Sequence, residues 1–139
     1  MRVLIDTNVL IDYLAERHPF FEDALRIIKA CESEEIEGSI STQSISDIFY
    51  ILRKEMTESE RRRILLSFCR LLTVDGVQRH QIIEALENGH FPDFEDCIQS
   101  TCARAFHADY IVTRNEKDFE FSEVSAISPK VFCARFLHR

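Results

Sequence analysis

The stretch MRVLIDTNVLIDYL, residues 1–14, decides the reading of this chain. Val3, Leu4 and Ile5 form a short apolar run of strand character, Asp6 stops it, and a second apolar run begins at Val9 and continues to Leu14. A carboxylate at the tip of a buried strand stands where folds with parallel sheets keep their ligands. By itself Asp6 reads equally as a turn or cap residue. Its meaning depends on whether other acids arrive at the same tip.

Further short apolar runs read as strands: Ser39-Ile40, Leu72-Thr73-Val74, Tyr110-Ile111-Val112 and, more weakly patterned, Ser125-Ala126-Ile127. Helical spacing fills the gaps between them. Phe21, Ala24, Leu25 and Ile28 recur at that spacing, as do Ile45, Ile48, Phe49 and Leu52. Thr57-Glu58-Ser59-Glu60 is a capping box ahead of Ile64, Leu65 and Phe68. Ile82, Ile83 and Leu86 mark a further helix, and Ser128-Pro129 opens a last one through Phe132 and Phe136. Strands alternating with helices require parallel pairing with crossover connections. The expected fold is α/β: a three-layer α/β/α sandwich around a short, mainly parallel central sheet.

With 139 residues, and neither internal repeats nor a Gly/Pro/Ser-rich linker, the chain reads as a single domain over 1–139. A 45% hydrophobic and 29% charged composition excludes wholesale disorder. No apolar run approaches the roughly 18 residues of a membrane span, and the early Asp6 and Asp12 do not suit a signal peptide, so a cytoplasmic protein is expected. The five cysteines are scattered without a CxxC pair and read as buried, reduced thiols. The five histidines form neither HExxH nor a Cys/His cluster, which argues against zinc.

Three stretches supply acids that could join Asp6. In STQSISDIFYIL (41–52), Asp47 lies in the second turn of a helix among Ile45, Ile48, Phe49 and Ile51, a costly place for a carboxylate unless it is paired, hydrated or metal-bound. In FPDFEDCIQSTCARA (91–105), Asp93 and Asp96 lie three apart on one side of a first helical turn, beside an apolar stripe of Phe94, Cys97, Ile98 and Cys102. In DYIVTRNEKDF (109–119), Asn115 and Asp118 follow a strand that ends at Thr113. Each residue has a bland reading as a cap or a solvated acid. Together they follow different elements yet point at one crevice. Clustered carboxylates repel unless protonated or bridged by a cation, and an all-oxygen ligand set suits Mg²⁺ or Mn²⁺.

At this point the chain resembles the PIN-domain nucleases, which include the toxin halves of VapBC-type toxin–antitoxin pairs. The likeness is carried by LIDTNVLIDYL, SISDIFYIL, DFEDCIQSTCARAFHADYIVTRNEKDF and the closing AISPKVF, and runs over nearly the whole length. It implies a metal-dependent endoribonuclease that hydrolyses RNA, with Asp6, Asp47 and Asp96 at the family's first three acidic positions. Two positions depart from the family pattern: Asp47 stands where Glu is usual, and Asn115 where Asp is frequent. Asp93 and Asp118 are then expected to make up the charge. The full expected ligand set is Asp6, Asp47, Asp93, Asp96, Asn115 and Asp118, with Asp6, Asp47, Asp96 and Asp118 catalytic. Expected RNA contacts are Asn8, Thr113, Arg114 and Lys117. The resemblance also implies an antitoxin partner and a homodimer, and the aromatic elements around Tyr13, Phe20, Phe21, Phe49 and Tyr50 offer either a groove for an antitoxin tail or simply core.

A net charge of −7 disfavours a polyanionic partner at first sight, but acids concentrated at a metal site account for part of it. Two other readings compete. A haloacid-dehalogenase-like phosphatase also carries an Asp after its first strand, but DTN at 6–8 lacks the second acid of the DxD pattern. A binding module with a degenerate acid cluster would follow if Asn115 abolished catalysis.

Overall fold

The computed structural model describes residues 1–137. Strand β1 (Arg2–Ile5) occupies the middle of a five-stranded sheet, flanked by β2 (Glu37–Ser41) and β3 (Thr73–Asp75) on one side and by β4 (Tyr110–Val112) and β5 (Ala126–Ile127) on the other. Every pairing is parallel, and Leu4 stands opposite both Ser39 and Ile111. Successive side chains of β1 alternate between two apolar layers, as the two-residue period of a strand dictates. Val3 and Ile5 pack with Leu10 of α1 (Thr7–Leu14), Ile27 of α2 (Phe21–Glu32), Ile48 of α3 (Thr42–Ile51) and Phe68 of α4 (Glu58–Leu71). Phe132 of α7 (Pro129–Phe136) completes that layer. Leu4 and Ile111 face the other way, onto Ala85 of α5 (Arg79–Glu87) and Ile98 and Cys102 of α6 (Phe94–Ala105). The result is the three-layer α/β/α arrangement expected, with all described strands parallel.

Local signals place several boundaries. Thr57 and Glu60 form the reciprocal capping box of α4, and Ser128 caps α7 with Pro129 at its first position. Gly38 is required by packing: a Cβ there would lie 2.8 Å from Cys31 Sγ and 2.9 Å from Leu72 Cδ2.

The α5 helix forms as expected, with Ile82, Ile83 and Leu86 exposed and the small Ala85 facing the core, because α5 lies chiefly against α6. Two expectations are corrected. Phe94 likewise faces solvent at the start of α6, whose buried stripe is Cys97, Ile98, Cys102 and Ala103. Among the cysteines, Cys69 is exposed while the other four are buried. Burial raises those thiols, Cys31 to about 12 and Cys102 and Cys133 to about 11. No described helix is long and apolar enough to cross a membrane.

The strand order fixes where a site can form. From β1 the chain steps outward to β2 and β3, then returns to the opposite edge of β1 for β4 and β5. The direction of winding reverses between β1 and β4. A crevice opens at the carboxyl ends of the strands at such a reversal.

Candidate active site

Asp6 closes β1, and its own N–H extends the ladder by donating to Val112 O of β4 at 3.0 Å. It also caps α1, its Oδ1 accepting from Thr7 N at 2.8 Å. The side chain is 6% exposed and both of its oxygens are held. Gln99 Nε2 of α6 donates to Oδ1 at 2.9 Å, and Thr113 Oγ1, just past β4, donates to Oδ2 at 2.7 Å. Thr113 Oγ1 in turn accepts from Asn115 N at 3.0 Å. Gln99 Nε2 also donates to Ser44 Oγ at 3.2 Å, and Ser44 shares hydrogen bonds with Thr7 (2.6 Å) and Ser41 (2.9 Å). A buried network therefore ties the ends of β1, β2 and β4 to α1, α3 and α6, with one carboxylate at its centre.

This network floors a cleft of about 410 Å³. Asp6, Asn8, Asp47, Asp93, Asp96, Asn115 and Asp118 all line it, together with Thr7, Ser44, Glu95, Gln99 and Tyr50. Asp93 also caps α6, its Oδ1 accepting from Glu95 N at 2.8 Å, so its cap and cleft positions coincide. Asp118 reaches the cleft because Asn115 to Asp118 close a 3₁₀ turn, Asp118 N donating to Asn115 O at 3.0 Å.

None of the described residues lining the cleft is basic, and the electrostatics show the consequence. Burial raises the Asp96 carboxyl to about 7, helped by the negative charges of Asp93, Asp6, Asp118 and Glu95. Glu95 is raised too, by burial and then by Asp47 and Asp93. The cleft is thus an oxygen-lined well of mutually repelling carboxylates. Two amide oxygens of its walls, Asn8 Oδ1 and Gln99 Oε1, are buried without a hydrogen-bond partner.

The chain belongs to the PIN-domain family. A family model described as the PIN domain matches residues 2–117, most of the chain. Solved structures share the fold at low identity. The VapBC2 complex from Rickettsia felis, bound to a DNA fragment from its promoter, matches with a TM-score of 0.62 at 16% identity, over 92% of this chain and 98% of that one. The FitAB complex bound to an IR36 DNA fragment gives 0.65 at 17%, over 91% and 94%. VapBC-1 from nontypeable Haemophilus influenzae gives 0.66 at 17%, over 94% and 99%. Comparison with curated proteins gave no match.

Within this PIN domain, three expected RNA contacts stand elsewhere than in the cleft lining. Thr113 is fully buried, its hydroxyl donating to Asp6 Oδ2. Arg114 turns its guanidinium onto Asp12, which is 1% exposed, and stacks 4.1 Å from the Phe20 ring centroid, lining a neighbouring hollow with Pro19 and Lys130. A buried carboxylate outcompetes solvent for that cation. Lys117 is exposed on the 3₁₀ turn, outside the cleft lining.

Several residues of the site carried little signal in the sequence. Asp12 looks like an ordinary helix acid until Arg114 arrives from 102 positions away. Gln99 and Ser44 are uncharged helix residues, and Glu95 a first-turn acid. The available hint was positional: Gln99 directly follows Cys97 and Ile98 in a buried stretch of α6, where a polar side chain needs a partner.

Proposed function

We propose that this PIN domain is an endoribonuclease, dependent on Mg²⁺ or Mn²⁺, and the toxin component of a toxin–antitoxin pair. The observation that carries the reading is the convergence of Asp6, Asp47, Asp93, Asp96 and Asp118 on one cleft at the winding reversal, with no basic residue in its described lining. Such a cleft repels a phosphodiester unless a cation intervenes.

The donor set fits a hydrated ion. Among the described residues no three acidic, histidine or cysteine side chains are already gathered as a ready-made cage. Mg²⁺ keeps several waters and needs only one or two carboxylates, with oxygen donors around them. Asp6 and Asp96 would hold the ion, with Asp47, Asp93, Asn115 and Asp118 as further donors directly or through water. When bound, the ion supplies Lewis-acid activation of water and neutralises charge on the leaving oxygen. The chain's own part is orientation. Thr113, Gln99 and Thr7 N fix Asp6, and Asn115 is anchored through Thr113 Oγ1. Asp96, raised to about 7, takes up and releases a proton close to neutral pH in the metal-free chain.

Cleavage of a plain single-stranded RNA tests the reading. Cleavage should require Mg²⁺ or Mn²⁺, stop with EDTA, and vanish in Asp6→Asn. Full activity after exhaustive metal removal overturns it, and turnover of small phosphate esters through an aspartyl-phosphate would assign a phosphatase instead. The toxin role predicts growth arrest on expression, relieved by Asp6→Asn or by co-expressing the product of an adjacent gene. Support for an antitoxin partner comes from the VapBC and FitAB complexes that share the fold. A homodimer belongs to the same reading, and light scattering showing only monomer at micromolar concentration counts against it.

A further inference from the structure

The acidic floor of the cleft would hold a cation for a scissile phosphate, but no cation is among its described lining residues to grip a polyanion. The wall built by α3 supplies what the floor lacks. Tyr50 follows Asp47 by three residues, so both project from the same side of the helix, and both line the cleft. Tyr50 is 62% exposed. Its neighbour Phe49 packs on the main core instead, covered by Arg61 at 4.2 Å from the ring centroid.

The exposed ring is held in place rather than left free. Arg53, on the 3₁₀ turn that follows α3, folds back so that its guanidinium carbon lies 3.8 Å from the Tyr50 ring centroid. Arg53 Nη1 is fixed there by donating to Tyr50 O at 2.9 Å. One face of the ring thus carries a cation, while the ring itself stands at the rim of the acid well. Ile51, 40% exposed, adds an apolar edge to the same rim.

Resting on the ribonuclease reading, we propose that Tyr50 with Arg53 is a base-stacking platform that restricts the substrate to single-stranded RNA. An unpaired base next to the scissile phosphate stacks on Tyr50, and the following phosphate meets Arg53. Stacking on an aromatic ring tolerates any base, because every base has a π-face. It demands that the base be free of a duplex, where both faces are already covered. The order along the wall, acid then aromatic then cation, matches the alternation of phosphate and base along one strand.

The test uses an oligoribonucleotide of about ten residues carrying 2-aminopurine, with binding measured on the full chain as Asp6→Asn so that no turnover intervenes. Binding should quench the 2-aminopurine. Adding Tyr50→Ala should remove the quench and weaken binding about ten-fold or more. Tyr50→Phe and Tyr50→Trp, which keep a ring, should retain both. Arg53→Gln should weaken binding and flatten its salt dependence. In the cleaving parent, Tyr50→Ala should show most of its loss in KM. A duplex of the same sequence should bind more weakly and be indifferent to Tyr50.

Unchanged affinity and quench in Tyr50→Ala overturn the proposal, as does an equal loss in Tyr50→Phe, or a duplex bound as tightly with the same dependence on Tyr50. RNA binding that survives Tyr50→Ala while capture of a protein partner is lost assigns the rim to that partner and also overturns it. Cleavage indifferent to Tyr50 sinks the platform alone. Tyr50-dependent binding by a parent chain that never cleaves sinks the hydrolase reading and leaves the platform standing.

Discussion

Arg114 grips Asp12 with two hydrogen bonds, Nε to Oδ2 at 2.6 Å and Nη2 to Oδ1 at 3.2 Å. The pair joins the middle of α1 to the residue between Thr113 and Asn115, so it braces the segment that orients Asp6. Arg114→Ala leaves a carboxylate that is 1% exposed without its cation. A loss of about 3–5 kcal/mol is expected, read by urea denaturation. Replacing both partners by apolar residues, Asp12→Leu with Arg114→Met, should recover most of it. A double variant as unstable as the single one would show that the pair's value is not electrostatic.

Gln99 and Thr113 touch opposite oxygens of Asp6, which makes them separable positioning groups. If Asp6 ligates the metal as proposed, Gln99→Met and Thr113→Val should each lower cleavage about 10–100-fold, the usual effect of removing a hydrogen bond behind such a ligand. Single-turnover rates with circular dichroism as a fold control check this. Mn²⁺ affinity should fall in parallel, and unchanged affinity in both variants would count against the assignment.

The Asp96 carboxyl gives the site a pH signature. It rises from the ordinary 3.8 to about 7, chiefly through burial and the charge of Asp93. Between those values the folded metal-free chain keeps a proton that the unfolded chain has released, so this group makes stability fall as pH rises across the window. Asp96→Asn should therefore gain stability relative to the parent above pH 7, and the gap should close on acidification towards the lower value. Urea melts at both ends of the window measure it. Cation binding has the opposite slope, since it needs the ionised form, and Mn²⁺ affinity of the parent should climb as pH passes through about 7.

Asn115 and Asp118 share the 3₁₀ turn at the cleft edge. Asn115 can offer an oxygen but no charge. If Asp118 supplies the carboxylate, Asp118→Asn should weaken Mn²⁺ binding by isothermal titration, and adding Asn115→Asp should partly restore it. Identical titrations for parent and Asp118→Asn would remove Asp118 from the site.

Much of this arrangement was readable from residue pattern, because strand tips and helix first turns are local features. Val3-Leu4-Ile5 followed by Asp6 announces a buried strand with an acid at its end, and the Thr57 capping box announces α4. The interior of the network was not readable in the same way. Gln99, Ser44 and Thr7 matter only through partners that are distant in sequence, Gln99 lying 93 positions from Asp6. Arg114 was misplaced for the same reason: a cation beside a cleft looks free until its buried partner is known. On α5, Ile82, Ile83 and Leu86 mark the right helix but leave its buried face open, since periodicity reports an apolar stripe but not what covers it.

The central position of β1 has a temporal consequence. β1 is synthesised well before its second edge, which is completed only by Tyr110–Val112, and the donor to Asp6 Oδ2 is Thr113. Pairing across so large a sequence separation carries a high loop-closure cost and comes late in folding. A nascent chain therefore carries Asp6 without a fixed orientation until β4 and Thr113 have been made. Nascent chains stalled before β4 should lack the Mn²⁺ affinity of the released protein, an inbuilt delay before the cleft becomes competent.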